Sequence, residues 1–144
     1  MNKPVWKCEW NETMSVGIPE IDKEHKHFIF LVKRFNEAVA DRMPMIEVKK
    51  RLQEIIDDTG KHFSHEEKLF NEWQYPDIAG HADIHSKIIK ELQDIRTNSI
   101  PYGFDTEWIE AGMKIKQVLI DHILNEDKKY ADFFSNSRNS VTKN

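Results

Sequence analysis

Cysteine is almost absent. Cys8 is the only one in 144 residues, so no internal disulfide can staple the fold and covalent cross-links do not fix a redox compartment. Cys8 itself reads as a free thiol near the terminus. Glycine and proline number five each, too few for a sandwich or barrel of many tight turns. Long apolar runs are also missing. The longest uninterrupted aliphatic or aromatic run, Phe28 to Val32, is far short of a membrane span, and Met1 to Trp10 holds no stretch of signal-peptide length. These absences give the expectation of a cytoplasmic protein with no membrane partner. Neither sign of charge dominates: 21 Lys and Arg against 25 Asp and Glu leave a net charge of -4, with no basic patch to invite nucleic acid.

What is present is helical rhythm. Four segments repeat apolar residues at the 3.6-residue period. The first spans about 19–41, with Pro19 suited to a first helical position, Glu20 and Asp22 at the positive end of the helix, and Phe28, Leu31, Val32 and Phe35 on its apolar side. The second spans about 44–73 and carries Val48, Leu52, Ile55 and Ile56. Gly60 lies inside it, either as a cost of about 1 kcal/mol in propensity or as packing relief beside something bulky. Gln74-Tyr75-Pro76 ends it. Asp77 is a candidate N-cap for a third helix over 77–97, and Asp105 for a fourth over 105–134, with Asn98 to Phe104 as a loop between them. Residues 1–18 read as an extended arm packed on the bundle and residues 135–144 as a polar, frayed tail. Short connections make neighbouring helices antiparallel, so the expected fold is all-α: a single domain over 1–144, an up-down-up-down antiparallel four-helix bundle with an extended N-terminal arm.

That topology gathers a set of chemically potent side chains. His25 lies near the start of the first helix, His62 and Glu66 near the end of the second, His81 and His85 near the start of the third, and His122 with an acid in the later part of the fourth. In an up-down bundle these places are one end, roughly 6–18 Å from it at ~1.5 Å rise per residue. Two of the pairs have i,i+4 spacing and so share a helix face. A core tolerates so many polar nitrogens and acids only if something satisfies them all, and two metal ions would. Imidazole mixed with carboxylate is compatible with non-haem iron, and the set is too large for one tetrahedral zinc. His65-Glu66 is followed by Leu69 where a zinc-protease helix needs a second histidine. Glu24-x-x-His27 is a single Glu-x-x-His motif where ferritin-like di-iron proteins need two. For the acid after His122, α-helical spacing favours Glu126 at four residues over Asp127 at five, because five steps turn about 140° on an ideal helix.

The strings Ile21-Asp22-Lys23-Glu24-His25, His62-Phe63-Ser64-His65-Glu66-Glu67, Tyr75-Pro76 followed by His81-x-x-x-His85, and His122-Ile123-x-x-x-Asp127-x-x-Tyr130 resemble the hemerythrin family over about residues 6–134, and its stand-alone bacterial members in particular. The resemblance implies a non-haem di-iron centre that binds dioxygen reversibly. By motif position, His81, His85 and His122 would ligate one iron and His25 and His62 the other. Glu66 and Asp127 would bridge both, with a bridging oxo or hydroxo group between Fe2+ or Fe3+ ions. The family's His-x-x-x-x-Asp pattern selects Asp127 over Glu126. His27 and His65 match no ligand position and read as surface residues or as neighbours of the ligands.

The resemblance further implies an apolar oxygen pocket of Phe63, Leu119 and Ile123. Val118 stands where animal members, and many bacterial ones, carry a bulky aromatic, so a path to the iron would be wider here. The function implied is oxygen storage, delivery or scavenging, with dioxygen as ligand and an oxygen-consuming enzyme as recipient, rather than catalysis. The alternatives are a di-iron enzyme (a peroxidase, an oxidase or a nitric-oxide handler) and an oxygen sensor acting through a partner. Oligomeric state is open.

Overall fold

The computed structural model of the protein describes residues 9–99 and 105–142; within these, the side chains of residues 98–99, 105–107, 123–124 and 136–142 are not described. Cys8 and the greater part of the loop expected over 98–104 lie outside the described residues. The described chain has no strand. A short 3-10 turn, Glu12–Met14, precedes α1 (Pro19–Ala40), α2 (Met45–Trp73) and α3 (Ile78–Ser99). A fourth rod is composed of α4 (Asp105–Asp121), a π-helical turn (His122–Asp127) and α5 (Lys128–Thr142).

Local chemistry explains the boundaries. Pro19 occupies the first turn of α1, where its missing N–H costs nothing, and Glu20 and Asp22 sit at the positive end of the helix dipole. Asp22 also anchors the arm, accepting hydrogen bonds from Ser15 Oγ at 2.5 Å and Val16 N at 2.9 Å. α1 and α2 both stop at left-handed residues, Arg42 (φ 52°) and Gln74 (φ 55°). Bonds from Met43 N to Ala38 O (3.0 Å) and from Tyr75 N to Phe70 O (2.9 Å) then close the last turns as Schellman caps do. At the head of α3 the Asp77 carbonyl accepts from His81 N at 3.1 Å. A Cβ on Gly80 would fall 2.3 Å from Asp77 Oδ1, so glycine is what lets that carboxylate fold back onto the first turn. A Cβ on Gly60 would meet nothing within 4 Å, which removes packing relief as its reason.

The fourth rod differs from expectation at its far end. It stays helical to Thr142, where the sequence reading ended it near Phe134 and began a tail at Ser135. Polarity alone does not stop a helix, and no glycine or proline interrupts Lys128 to Thr142.

α1 packs on α2 and α4, and α3 packs on α2 and α4. Phe35, late in α1, meets Trp108, early in α4 (ring centroids 6.0 Å), while His25, early in α1, meets His62, late in α2 (4.7 Å), so neighbours run antiparallel. The bundle is layered along its length. The main apolar core takes Phe35 and Val39 from α1, Leu52 and Ile55 from α2, Leu92 and Ile95 from α3, and Trp108 and Ile115 from α4. A smaller apolar cluster joins Val16 and Ile18 of the arm with Ile21, Phe70, Tyr75 and Tyr130. The histidines and acids singled out in the sequence fall between these two apolar layers. No helix among the described residues is long and apolar enough to cross a membrane.

Candidate metal centre

Eight polar or charged side chains are buried among the described residues: His25, Thr59, His62, Glu66, His81, His85, His122 and Asp127. Thr59 is self-sufficient, its hydroxyl donating to Ile55 O at 2.7 Å. The other seven converge. Donor atoms of Glu66, His81, His85, His122 and Asp127 all lie within 4.8 Å of one another, and so do those of His25, His62, Glu66 and Asp127. The two groups share both carboxylates and no histidine.

The π turn decides which acid faces inward. Its i→i+5 hydrogen bonding widens one turn so that residues five apart come onto one side. His122 Nε2 therefore lies 2.7 Å from Asp127 Oδ1. Glu126 points away, partly exposed and paired with Lys129 Nζ at 3.1 Å. Spacing on an ideal α-helix favoured Glu126; that preference fails because the helix is not α there. Asp127 is also approached by His25 Nε2 at 3.1 Å and His81 Nε2 at 3.0 Å. Glu66 Oε1 is approached by His62 Nε2 at 3.1 Å and His85 Nε2 at 3.2 Å, and its Oε2 accepts a very short hydrogen bond from the Tyr130 hydroxyl.

Whether these groups fit a metal is answered by the atoms they leave over. His85 Nε2, His122 Nε2, Glu66 Oε1 and Asp127 Oδ2 are buried and make no hydrogen bond, although some lie close together. An unsatisfied buried polar atom costs about 1–3 kcal/mol. Four such atoms in one interior are explained if imidazole lone pairs and carboxylate oxygens face a shared cation. The donor set, nitrogen and oxygen without thiolate, suits non-haem iron.

Electrostatics among the protein groups point the same way. Burial pulls the His62 imidazolium down, but the nearby Glu66 charge and the hydrogen bond to Glu24 outweigh it and push it up to about 10. His122 is raised as well, burial being overcome by Asp127. Burial would raise the Asp127 carboxyl, yet His122, His25 and His81 hold it well below its ordinary range. Two buried anions thus demand positive charge between them, from protons or from a metal.

A second ring of residues braces the first. His62 Nδ1 pairs with Glu24 Oε1 at 2.5 Å, and His65 Nδ1 with Glu24 Oε2 at 2.6 Å. His85 Nδ1 lies 3.5 Å from Glu67 Oε2. His27 is half-exposed and pairs with Asp58 at 3.1 Å, away from the cluster. Phe63 stacks on His85 (3.8 Å, 4°) and leans on His122 (5.4 Å), while Phe28 meets His62 edge-on at 4.7 Å. Leu119 is buried and Val118 half-buried against the main core. The Ile123 side chain lies outside the described residues. The sequence places Phe28 on the apolar side of the first helix but gives neither it nor Glu24 or Glu67 a role beside the buried histidines. Glu24 and Glu67 adjoin His25 and Glu66 of the buried cluster in chain order, which is a signal but not one that distinguishes them from ordinary surface acids.

The family model described as Hemerythrin HHE cation binding domain matches residues 16–134. The chain belongs to the hemerythrin family. It is 30% identical over 123 residues to a bacteriohemerythrin of Stenotrophomonas maltophilia, covering 85% of this chain and 78% of that one. A bacteriohemerythrin of Pseudomonas aeruginosa is 25% identical over 134 residues (93% and 86%), and one of Campylobacter jejuni 27% over 115 (79% and 85%). Hemerythrin membership implies binding of non-haem iron, and the buried histidine and carboxylate cluster is where this chain has the donors for it.

Proposed function

We propose that this hemerythrin holds a pair of iron ions and binds dioxygen reversibly, for storage, delivery or scavenging. One observation carries the reading: two donor groups, one with three histidines and one with two, that share Glu66 and Asp127. His81, His85 and His122 would hold one iron and His25 and His62 the other, with both carboxylates common to them and an oxo or hydroxo bridge completing the pair. The two-histidine side is one protein ligand poorer, which would leave a place there for dioxygen. Held there, ferrous iron would supply the electrons that dioxygen takes up and take them back on release.

The remaining work belongs to the protein. The two carboxylates, buried to zero exposure, offset the metal charge. Tyr130 fixes the free oxygen of Glu66 so that the carboxylate cannot swing. Phe28 and Phe63 wall the histidines with rings, and Leu119, in the last turn of α4, is buried three residues before His122 on the fourth rod. Such a wall keeps water and stray protons from bound oxygen, which is what makes binding reversible rather than oxidative. The fitting test is spectroscopic. Protein loaded anaerobically with ferrous iron should be colourless, hold about two irons per chain, gain visible absorption on exposure to air and lose it on purging with inert gas. Colour that never reverses, with peroxide consumed catalytically instead, would move the assignment to a di-iron enzyme.

A further inference from the structure

The outer nitrogens of the histidines are not treated alike. His25 Nδ1, His85 Nδ1 and His122 Nδ1 are buried without a hydrogen-bond partner, whereas His62 Nδ1 pairs with Glu24 Oε1 at 2.5 Å. Glu24 is itself held, its other oxygen pairing with His65 Nδ1 at 2.6 Å, and His65 Nε2 lies 3.7 Å from Glu20. The result is a hydrogen-bonded chain, His65–Glu24–His62, reaching from a surface crevice of about 660 Å³ between α1 and α2 to the buried ring. Glu24 is the residue before His25, so α1 supplies both a histidine of the two-histidine group and the brace of the other. Among the described residues, no carboxylate pairs as closely with the outer nitrogen of His85 or His122 in the three-histidine group. Its nearest equivalent, Glu67, stands 3.5 Å from His85 Nδ1.

We propose that Glu24 is a positioning residue for one metal of the pair: held by His65, it locks the His62 ring with Nε2 toward the shared carboxylates, and so sets the retention of the metal in the two-histidine half alone. The inference rests on the metal-pair reading above. A carboxylate on the far nitrogen of a ligating imidazole fixes ring orientation and tautomer and raises ligand basicity, and its loss typically weakens metal binding 10–100-fold. Because Glu24 touches only His62 of the buried histidines, the weakening falls on one metal and spares the other.

The test is a chelator challenge on protein loaded anaerobically with ferrous iron, comparing the unaltered chain with Glu24→Ala, Glu24→Gln and His65→Ala. Released iron is counted against time, and melting of each metal-free form is measured beside it. In Glu24→Ala, about half the iron should leave roughly 10–100-fold faster than in the unaltered chain, and the rest at the unaltered rate. Glu24→Gln, which keeps an acceptor oxygen without the charge, should show the same split at smaller size. His65→Ala, which frees Glu24 without removing it, should show it weakest. Equal acceleration of all the iron, in step with a lower melting temperature of the metal-free form, would mean that Glu24 is merely structural and overturns the proposal. Release at the unaltered rate from Glu24→Ala overturns it too. An unaltered chain that never holds a pair of irons would overturn the pair itself and this inference with it.

Discussion

The two ends of the bundle are made from the same four rods and held by different physics. At the end containing Phe35, Leu52, Leu92 and Trp108, helices meet through aliphatic and aromatic side chains, and burial alone supplies the driving force. At the other end the same helices turn histidine and carboxylate inward, where five imidazoles and two acids are buried almost completely. That layer cannot be stable on apolar contact. Its charges are set against one another, some of its atoms find no partner, and the smaller apolar cluster around Phe70 and Tyr130 closes over it. The difference teaches that one half of this fold is complete in its own apolar contacts, while the other half gathers buried donors that a cation would satisfy.

Substitutions should separate the two halves. The largest effect belongs to the apolar end. Phe35→Ala removes a fully buried ring and should cost about 3–5 kcal/mol in denaturant unfolding. The cost should be the same with and without iron; a loss that grows or shrinks with iron would erase the distinction between the ends. Tyr130→Phe acts at the polar end, leaving Glu66 Oε2 without its donor at a cost of about 1–3 kcal/mol. Here the size should depend on metal, because a loaded centre still holds Glu66 through its other oxygen. Equal losses with and without iron would count against Glu66 as a shared ligand. Val118→Trp should narrow the approach to the iron and slow decay of the oxygenated form a few-fold, roughly 1 kcal/mol of barrier, with equal or faster decay ruling out valine as the wider gate. Smallest is Gly60→Ala. The site is helical with open space for a methyl group, so melting should show a gain of about 0.4–1 kcal/mol, insensitive to iron.

Much of this was legible in the sequence, and the reasons are physical. The rods follow from 3.6-residue periodicity. Their meeting at one level follows from short connections, since in an up-down bundle the start of one helix must face the end of the next. Residues whose roles depend on a departure from ideal geometry were not legible. The inward acid is Asp127 because of a π turn, which no local propensity announces; only likeness to a family pointed there. Glu24 braces a histidine on a different helix, and an exposed acid in a charged helix looks the same in sequence whether or not its partner waits across the interface. The fourth rod was read too short because a run such as Ser135 to Ser140 looks like a tail, when only glycine, proline or a competing cap would have ended it.

Ferrous titration of metal-stripped protein, followed by melting at each step, goes most directly to whether a metal pair completes the polar layer. Uptake should stop at about two irons per chain, with stabilisation of about 2.7 kcal/mol once free iron reaches 100 times its dissociation constant, a rise on the order of 10 °C. Saturation at a single metal, or a metal-free protein that melts where the loaded one does, would contradict a centre built on Glu66 and Asp127 as shared ligands.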